Sequence, residues 1–415
     1  MTRSDPHEPD NAPHSLDWLQ PGASSAAPGD SSPGLASPSP PSPSPPAPPA
    51  APPPPPEPVA VPLKWLVDSG PAPIRYRAIT ELARVSPLPD RLLSLVYGFP
   101  PAVTLALSQR PDGTWYNAML AVPAVRGAAF EGVGTIVAYR RLLEYGWDRD
   151  APPLFHARRL LFRLITEDND PSLLFELGDK AKSDDDAVRR NRILLREAAA
   201  AALAQAGYEG DPRLRGVAQR LIQRVLTFIR SPLAADPWVT AGGGGKRVLA
   251  PRAAPPSYFF LLMLAHMPLF RLEHASEIAD LLKYLTRPSS NGEHGTSGQS
   301  GSQSLFLTGD PLFSDEDAAG ADIGFAVAWL ELAARLGYLK RHEGWSQTYD
   351  RLLEQCDEAF VWRARRGQSV SRVANSFVWP TYPLVPSGAA DDQAAEMSFR
   401  LSLIAKLSGR PLEFV

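Results

Sequence analysis

The sequence predicts an all-α fold over residues 62–415, built from helices of two alternating kinds. Three observations lead there. Sustained period-two alternation of β-branched and aromatic residues is nearly absent, while apolar residues recur at helical spacing along the whole stretch. Helices charged on one side alternate with helices that are apolar nearly all round, as two concentric rings of helices would require.

The elements follow in order. A helix-like start spans Trp65-Leu66-Val67-Asp68 and continues through Ile74-Arg75-Tyr76-Arg77-Ala78. Residues 127–145 read as an inner helix, 151–166 with Arg158, Arg159 and Arg163 as an outer one, and the alanine-rich 187–206 as inner. The clearest amphipathic helix covers 211–230, where Leu214, Val217, Leu221, Val225 and Phe228 share one side and arginines occupy the rest. Residues 257–270 carry the unbroken run Phe259 to Leu264, so that helix must be buried. A mixed helix at 274–287 precedes 316–337, apolar on two faces; a charged helix at 344–362 precedes 391–408, which ends apolar. Two stretches, 231–256 and 288–311, are rich in Gly, Pro, Ser and Asn and read as flexible loops on one rim, placed to gate a central cavity. The helix pattern at Pro73 to Ile79 also looks like a HEAT helix, so a HEAT-like α-solenoid is the runner-up architecture.

Composition sets further limits. Between Pro28 and Pro62, 17 of 35 residues are proline, and proline cannot donate a backbone hydrogen bond. Residues 1–61 therefore read as a disordered, proline-rich arm, with Ser15 to Gln20 as a short apolar motif able to dock on a protein partner. Net charge is −3 with no basic run, which lowers nucleic-acid binding in rank. The single cysteine, Cys356, excludes an intrachain disulfide and any multi-cysteine metal site. Met1 to Pro6 has no apolar signal region, and the longest apolar run, Tyr258 to Phe270, is too short to span a bilayer. The expectation is a cytoplasmic protein without a transmembrane segment, at most in peripheral contact with a membrane.

The stretch Gln109-Arg110-Pro111-Asp112-Gly113-Thr114-Trp115 resembles the QW repeat of the squalene cyclase and protein prenyltransferase superfamily. Gln109, Gly113 and Trp115 match it; Thr104-Leu105 stands where an aromatic-Leu pair would precede the glutamine. On this resemblance the chain is similar to a divergent, bacterial-type member of the terpenoid cyclase α/α-toroid superfamily. The resemblance implies an α/α toroid whose tryptophan stacks on the glutamine to tie neighbouring helices, and a central apolar cavity for an isoprenoid or other lipid.

Cyclases of that superfamily protonate an alkene with an Asp-x-Asp-Asp acid. Ser183-Asp184-Asp185-Asp186 is the nearest match, with serine in place of the first aspartate, so Asp184, Asp185 and Asp186 are the candidate catalytic acids. The same residues read as an acidic cap on the helix starting near Ala187. Ser314 to Asp317 and the Asp391-Asp392 pair with Glu396 likewise read as helix starts; the latter lacks the second box of a magnesium-dependent synthase. No histidine follows Cys356, which removes the prenyltransferase zinc centre, and no metal or cofactor is expected. Ala241 to Arg247 lacks the leading Gly, the preceding strand and the Ser or Thr of a phosphate loop. His266 reads either as a catalytic base or as a satisfied core histidine.

Phe325, Trp329, Phe377, Trp379 and Tyr382 are the aromatics suited to line a cavity, and they suit a packed core equally. Two functions remain open: an isoprenoid- or lipid-binding toroid without standard cyclase chemistry, and a non-catalytic helical scaffold that recruits partners through its proline-rich arm.

Overall fold

A computed structural model describes residues 57–415 apart from 88, 124–129, 168–170, 242–245, 288–304, 313–322, 367, 369–375 and 386–388. The described part is mostly helical. Strand β1 (Val59–Val61) leads into α1 (Leu63–Ser69) and α2 (Ala72–Arg77), which runs on into a π-helical turn at Ala78–Leu82. Helices α3 (Asp90–Tyr97), α4 (Pro100–Leu107), α5 (Thr135–Glu144), α6 (Pro152–Thr166), α7 (Asp186–Gln205) and α8 (Pro212–Ile229) follow. After the hairpin β2 (Trp238–Ala241) and β3 (Lys246–Leu249) come α9 (Tyr258–Ala265), α10 (Pro268–Glu273), α11 (Ala275–Leu285), α12 (Ile323–Arg335), α13 (Glu343–Leu353), α14 (Ala390–Leu407) and β4 (Leu412–Phe414).

Four expectations are corrected. Residues 1–56 of the predicted arm lie outside the described residues, but its last part does not: Val59 and Val61 are buried, and β1 pairs in parallel with β4, Val59 opposite Leu412 and Val61 opposite Phe414. Two valines in period two suffice for a short strand when a partner is supplied from the other end of the chain. The predicted loop 231–256 contains the antiparallel β2–β3 hairpin, Val239 facing Val248, and only Gly242 to Gly245 fall outside the described residues. The predicted helix 257–270 is two helices. Pro268 cannot donate to the carbonyl four residues back, so α9 stops at Ala265 and α10 starts with Pro268 in its first turn. The predicted helix 344–362 ends at Leu353, where Asp357 accepts the backbone N–H of Ala359 and Val361 and turns the chain, with Phe360 at a positive φ of 59°.

Burial divides the helices as their sequences suggest. Every residue of α9 is buried, and Ala198 to Ala204 of α7 are buried as well; the small side chains let α9 lie close against α7. α8 buries Leu214, Val217, Leu221, Val225 and Phe228 and leaves Arg213 and Arg220 exposed. Contacts run in sequence: α5 packs on α7, α7 on α9, α9 on α12 and α12 on α14. α6 and α8 pack against α7 from elsewhere on its surface, α11 packs on α8, and α13 packs on α12 and α14. One polar link crosses the apolar layer: Glu197 of α7 is fully buried, receiving Arg224 of α8 at 2.5 Å and the Ser257 hydroxyl at 2.6 Å. Ser257 in turn caps α9 by accepting the Phe260 N–H.

Candidate functional site

Four pairs of opposite charge, each spaced by four residues, stand on α2 with its π-helical turn, α5, α12 and α14: Arg77 and Glu81, Arg140 and Glu144, Glu331 and Arg335, Glu396 and Arg400. That spacing puts both members of a pair on one face of a helix. Here the faces turn inward. Arg140, Glu144, Glu331, Glu396 and Arg400 are all buried, and α5, α7, α9 and α12 bring their carboxyl-terminal turns to one place.

Arg400 lies at the centre of the resulting network. It bridges Glu144 at 2.9 Å and Glu331 at 3.0 Å, and donates to the Thr381 carbonyl at 2.6 Å. Glu331 also holds Arg335 at 2.8 Å, Glu144 also holds Arg77, and Arg77 reaches Glu81. Gln205 closes the group by donating its amide to Glu144 at 2.6 Å and accepting Arg140 Nε at 2.9 Å. Burial alone would raise the pKa of each carboxyl group. Arg77 and Arg400 outweigh that burial at Glu144, and Arg400 and Arg335 outweigh it at Glu331, so both are held below the ordinary carboxylate range. Glu396 behaves oppositely: burial pushes it up to about 7 despite Arg400 and the Leu384 N–H that its oxygens accept at 2.8 and 2.9 Å.

A cavity of about 20 Å³ lies within this group, bordered by Arg140, Glu144, Gln205, His266, Glu331 and Arg335, with Leu262 and Phe377 among its apolar walls. A space of that size holds about one water molecule. His266 sits at the end of α9; burial first, then Arg335, pushes it down to about 3, so the ring is neutral at physiological pH.

The aromatic residues singled out in the sequence fall in two places. Phe325, Trp329 and Phe377 gather around Tyr258, at ring separations of 5.6, 5.9 and 4.6 Å. Each packs on Tyr258, and of the three only Phe377 borders the cavity. Trp379 stands apart beneath the Arg141 guanidinium, 4.6 Å from its ring centre, and Tyr382 is buried in the core. The segment 376–385 that carries them is held across the helix ends by arginine-to-carbonyl bonds: Arg140 to Ser376 and Phe377, Arg141 to Trp379 and Pro383, Arg400 to Thr381. Sequence reading missed Tyr258 and the arginines; the four-residue charge spacing on otherwise apolar helices was the signal available.

Gln109 donates to the Gly113 carbonyl at 3.0 Å and to the Pro153 carbonyl at 2.8 Å, joining the turn after α4 to the start of α6. Gly113 has φ +87°, and a Cβ there would stand 3.3 Å from the His156 backbone. The indole of Trp115, buried, donates to Leu105 at 2.7 Å, and its backbone N–H reaches Thr135 at the start of α5. These three residues therefore sit at a corner between α4, α5 and α6.

Asp184, Asp185 and Asp186 stand at the other end of α7. Asp185 caps the helix by accepting the Ala187 N–H at 2.7 Å, Asp186 pairs with Arg189, and Asp184 is fully exposed. From Asp186 to Gln205 the helix rises about 28 Å, so none of the three reaches the cavity. Asp391 likewise opens α14 and pairs with Arg363 at 2.8 Å. Ser314 to Asp317 lie outside the described residues. Burial pushes the Cys356 thiol up to about 11, and no cluster of His, Cys, Asp or Glu among the described residues could hold a metal ion. No helix among them is long and apolar enough to cross a membrane. Compared with known proteins, the chain matches no protein family, no curated protein and no solved structure.

Proposed function

We propose that this protein is a non-catalytic helical scaffold of the cytoplasm whose proline-rich N-terminal part recruits a protein partner. One observation carries the first half. Where the inner helices meet, ion-paired side chains fill the interior and leave about 20 Å³, whereas small-molecule sites usually run to a few hundred Å³. The run of contacts from α5 through α7, α9 and α12 to α14, with Arg400 of α14 returning to Glu144 of α5, supports an α/α toroid, the arrangement suggested by the QW-like corner. For an isoprenoid to bind centrally, the Tyr258, Phe325, Trp329 and Phe377 cluster would have to open. The recruiting half rests on composition: proline-dense segments present a preformed extended helix to domains with aromatic-lined grooves.

Lipid extraction of the purified chain followed by mass spectrometry tests the first half. No isoprenoid is expected, and one recovered in stoichiometric amount would replace the scaffold with a lipid-binding protein. Titration of the full chain and of residues 57–415 with a panel of SH3 and WW domains tests the second. Binding only by the full chain is expected, and binding by neither form removes the recruiting role.

A further inference from the structure

The charges of the network around the cavity do not balance: Arg77, Arg140, Arg141, Arg335 and Arg400 face Glu81, Glu144, Glu331 and Glu396. Arg77, Arg335 and Arg400 are matched by Glu81, Glu144 and Glu331, each carboxylate in direct contact with at least one of those guanidinium groups. Arg141 has Glu396 nearby, and bonds to carbonyls and the Tyr145 hydroxyl. Arg140 is left over. It is 1% exposed, and among the described residues no carboxylate pairs with it. Its contacts are the Gln205 amide oxygen at 2.9 Å and two carbonyls at 3.3 and 3.4 Å, the latter too long to be strong. Burial pulls its pKa down to about 10, with the nearby charges of Glu144 and Glu331 partly opposing the shift, so the group stays charged at neutral pH. A buried charge with no carboxylate in direct contact costs several kcal/mol.

We propose that the cavity beside Arg140 binds one small monovalent anion of chloride size. The site is built from three directions. Arg140 supplies the unmatched charge. The neutral His266 ring carries one N–H that can be directed into the cavity, and Arg335, itself paired with Glu331, completes the wall. Glu144 and Glu331 also border the space, but their charges are already engaged by Arg77, Arg335 and Arg400. The volume, about 20 Å³, admits a chloride-sized ion and excludes a phosphate or an organic carboxylate. This inference goes beyond the scaffold reading and does not depend on it.

The rival account is that the carbonyl ends of α5, α7, α9 and α12, whose partial negative charges converge here, compensate Arg140 unaided. Thermal unfolding of the full chain, with chloride replacing gluconate at constant ionic strength, separates the two. A saturable rise in the melting midpoint is expected, because an ion that binds only the folded chain stabilises it by mass action. The rise is expected to vanish in Arg140→Gln. A midpoint indifferent to chloride, or a rise retained by the variant, would overturn the site. Should Arg140→Gln fail to fold, bromide-soaked crystals of the unchanged protein decide: an anomalous peak in contact with Arg140 supports the site, and its absence refutes it.

Discussion

Two neighbouring stretches of α7 are held by opposite physics. Along its carboxyl-terminal half, Ala198 to Ala204 meet the wholly apolar α9, and cohesion there is burial and close packing. At its carboxyl end, Gln205 enters an array of guanidinium and carboxylate groups shielded from water. Apolar packing tolerates substitutions that keep volume, whereas a buried ionic array requires each charge to keep its partner. The difference teaches that a buried helix face can be built from either material, and that the two should fail differently.

The largest effect is expected at the ionic end. Glu144→Ala removes one of the two carboxylates that Arg77 and Arg400 each contact in a buried interior and should cost about 3–5 kcal/mol in urea unfolding. A loss below about 1 kcal/mol would show that the network is hydrated and would collapse the contrast. Next comes the apolar end. Leu261→Ala, at a fully buried position of α9, should cost about 2–4 kcal/mol, while Leu261→Met should cost under about 1.5 kcal/mol. If both substitutions are equally damaging, the α7–α9 layer is not the volume-tolerant region described here.

A pH experiment sharpens the contrast within the ionic end itself. Glu396 has its folded value raised to about 7, so its contribution is present at acid pH and is lost as pH rises through about 7. Glu144 and Glu331 have lowered values, so theirs is present near neutrality and is lost as pH falls below the ordinary glutamate range. Between pH 5 and 8 the parent should therefore lose about 2 kcal/mol relative to Glu396→Gln, whose amide oxygen can still accept the Leu384 N–H. Parallel stability curves for parent and variant across that window would refute the assignment. The smallest effect belongs to the amino end of α7, far from either material. Asp185→Asn with Asp186→Asn keeps a capping side chain and should shift stability by about 1 kcal/mol or less. A larger loss would mean that these acids take part in more than a helix start.

Much of the helical layout was legible in the chain. The spacing of Leu214, Val217, Leu221, Val225 and Phe228 marked one buried side of α8, and the run Phe259 to Leu264 could only be an interior helix. The acidic start of α7 was legible too, because an Asx cap needs nothing beyond neighbouring backbone. The break at Pro268 was also in the sequence, and continuous hydrophobicity masked it. The ionic centre was not read, although all four charge pairs are visible. Opposite charges four residues apart ordinarily form a solvated helix face, and nothing local says that Arg140 and Glu144 point inward.

The sequence by itself determined the helical periods, the caps and the proline breaks, since these depend on residues within a few positions of one another. Only the tertiary structure decided which charges are buried, that Val59 to Val61 find a partner at Leu412 to Phe414, and that Phe325, Trp329 and Phe377 pack around Tyr258. Those outcomes join residues separated by tens to hundreds of positions. The energy of a charge or a ring depends on what surrounds it, and that surrounding is assembled only when distant helices meet.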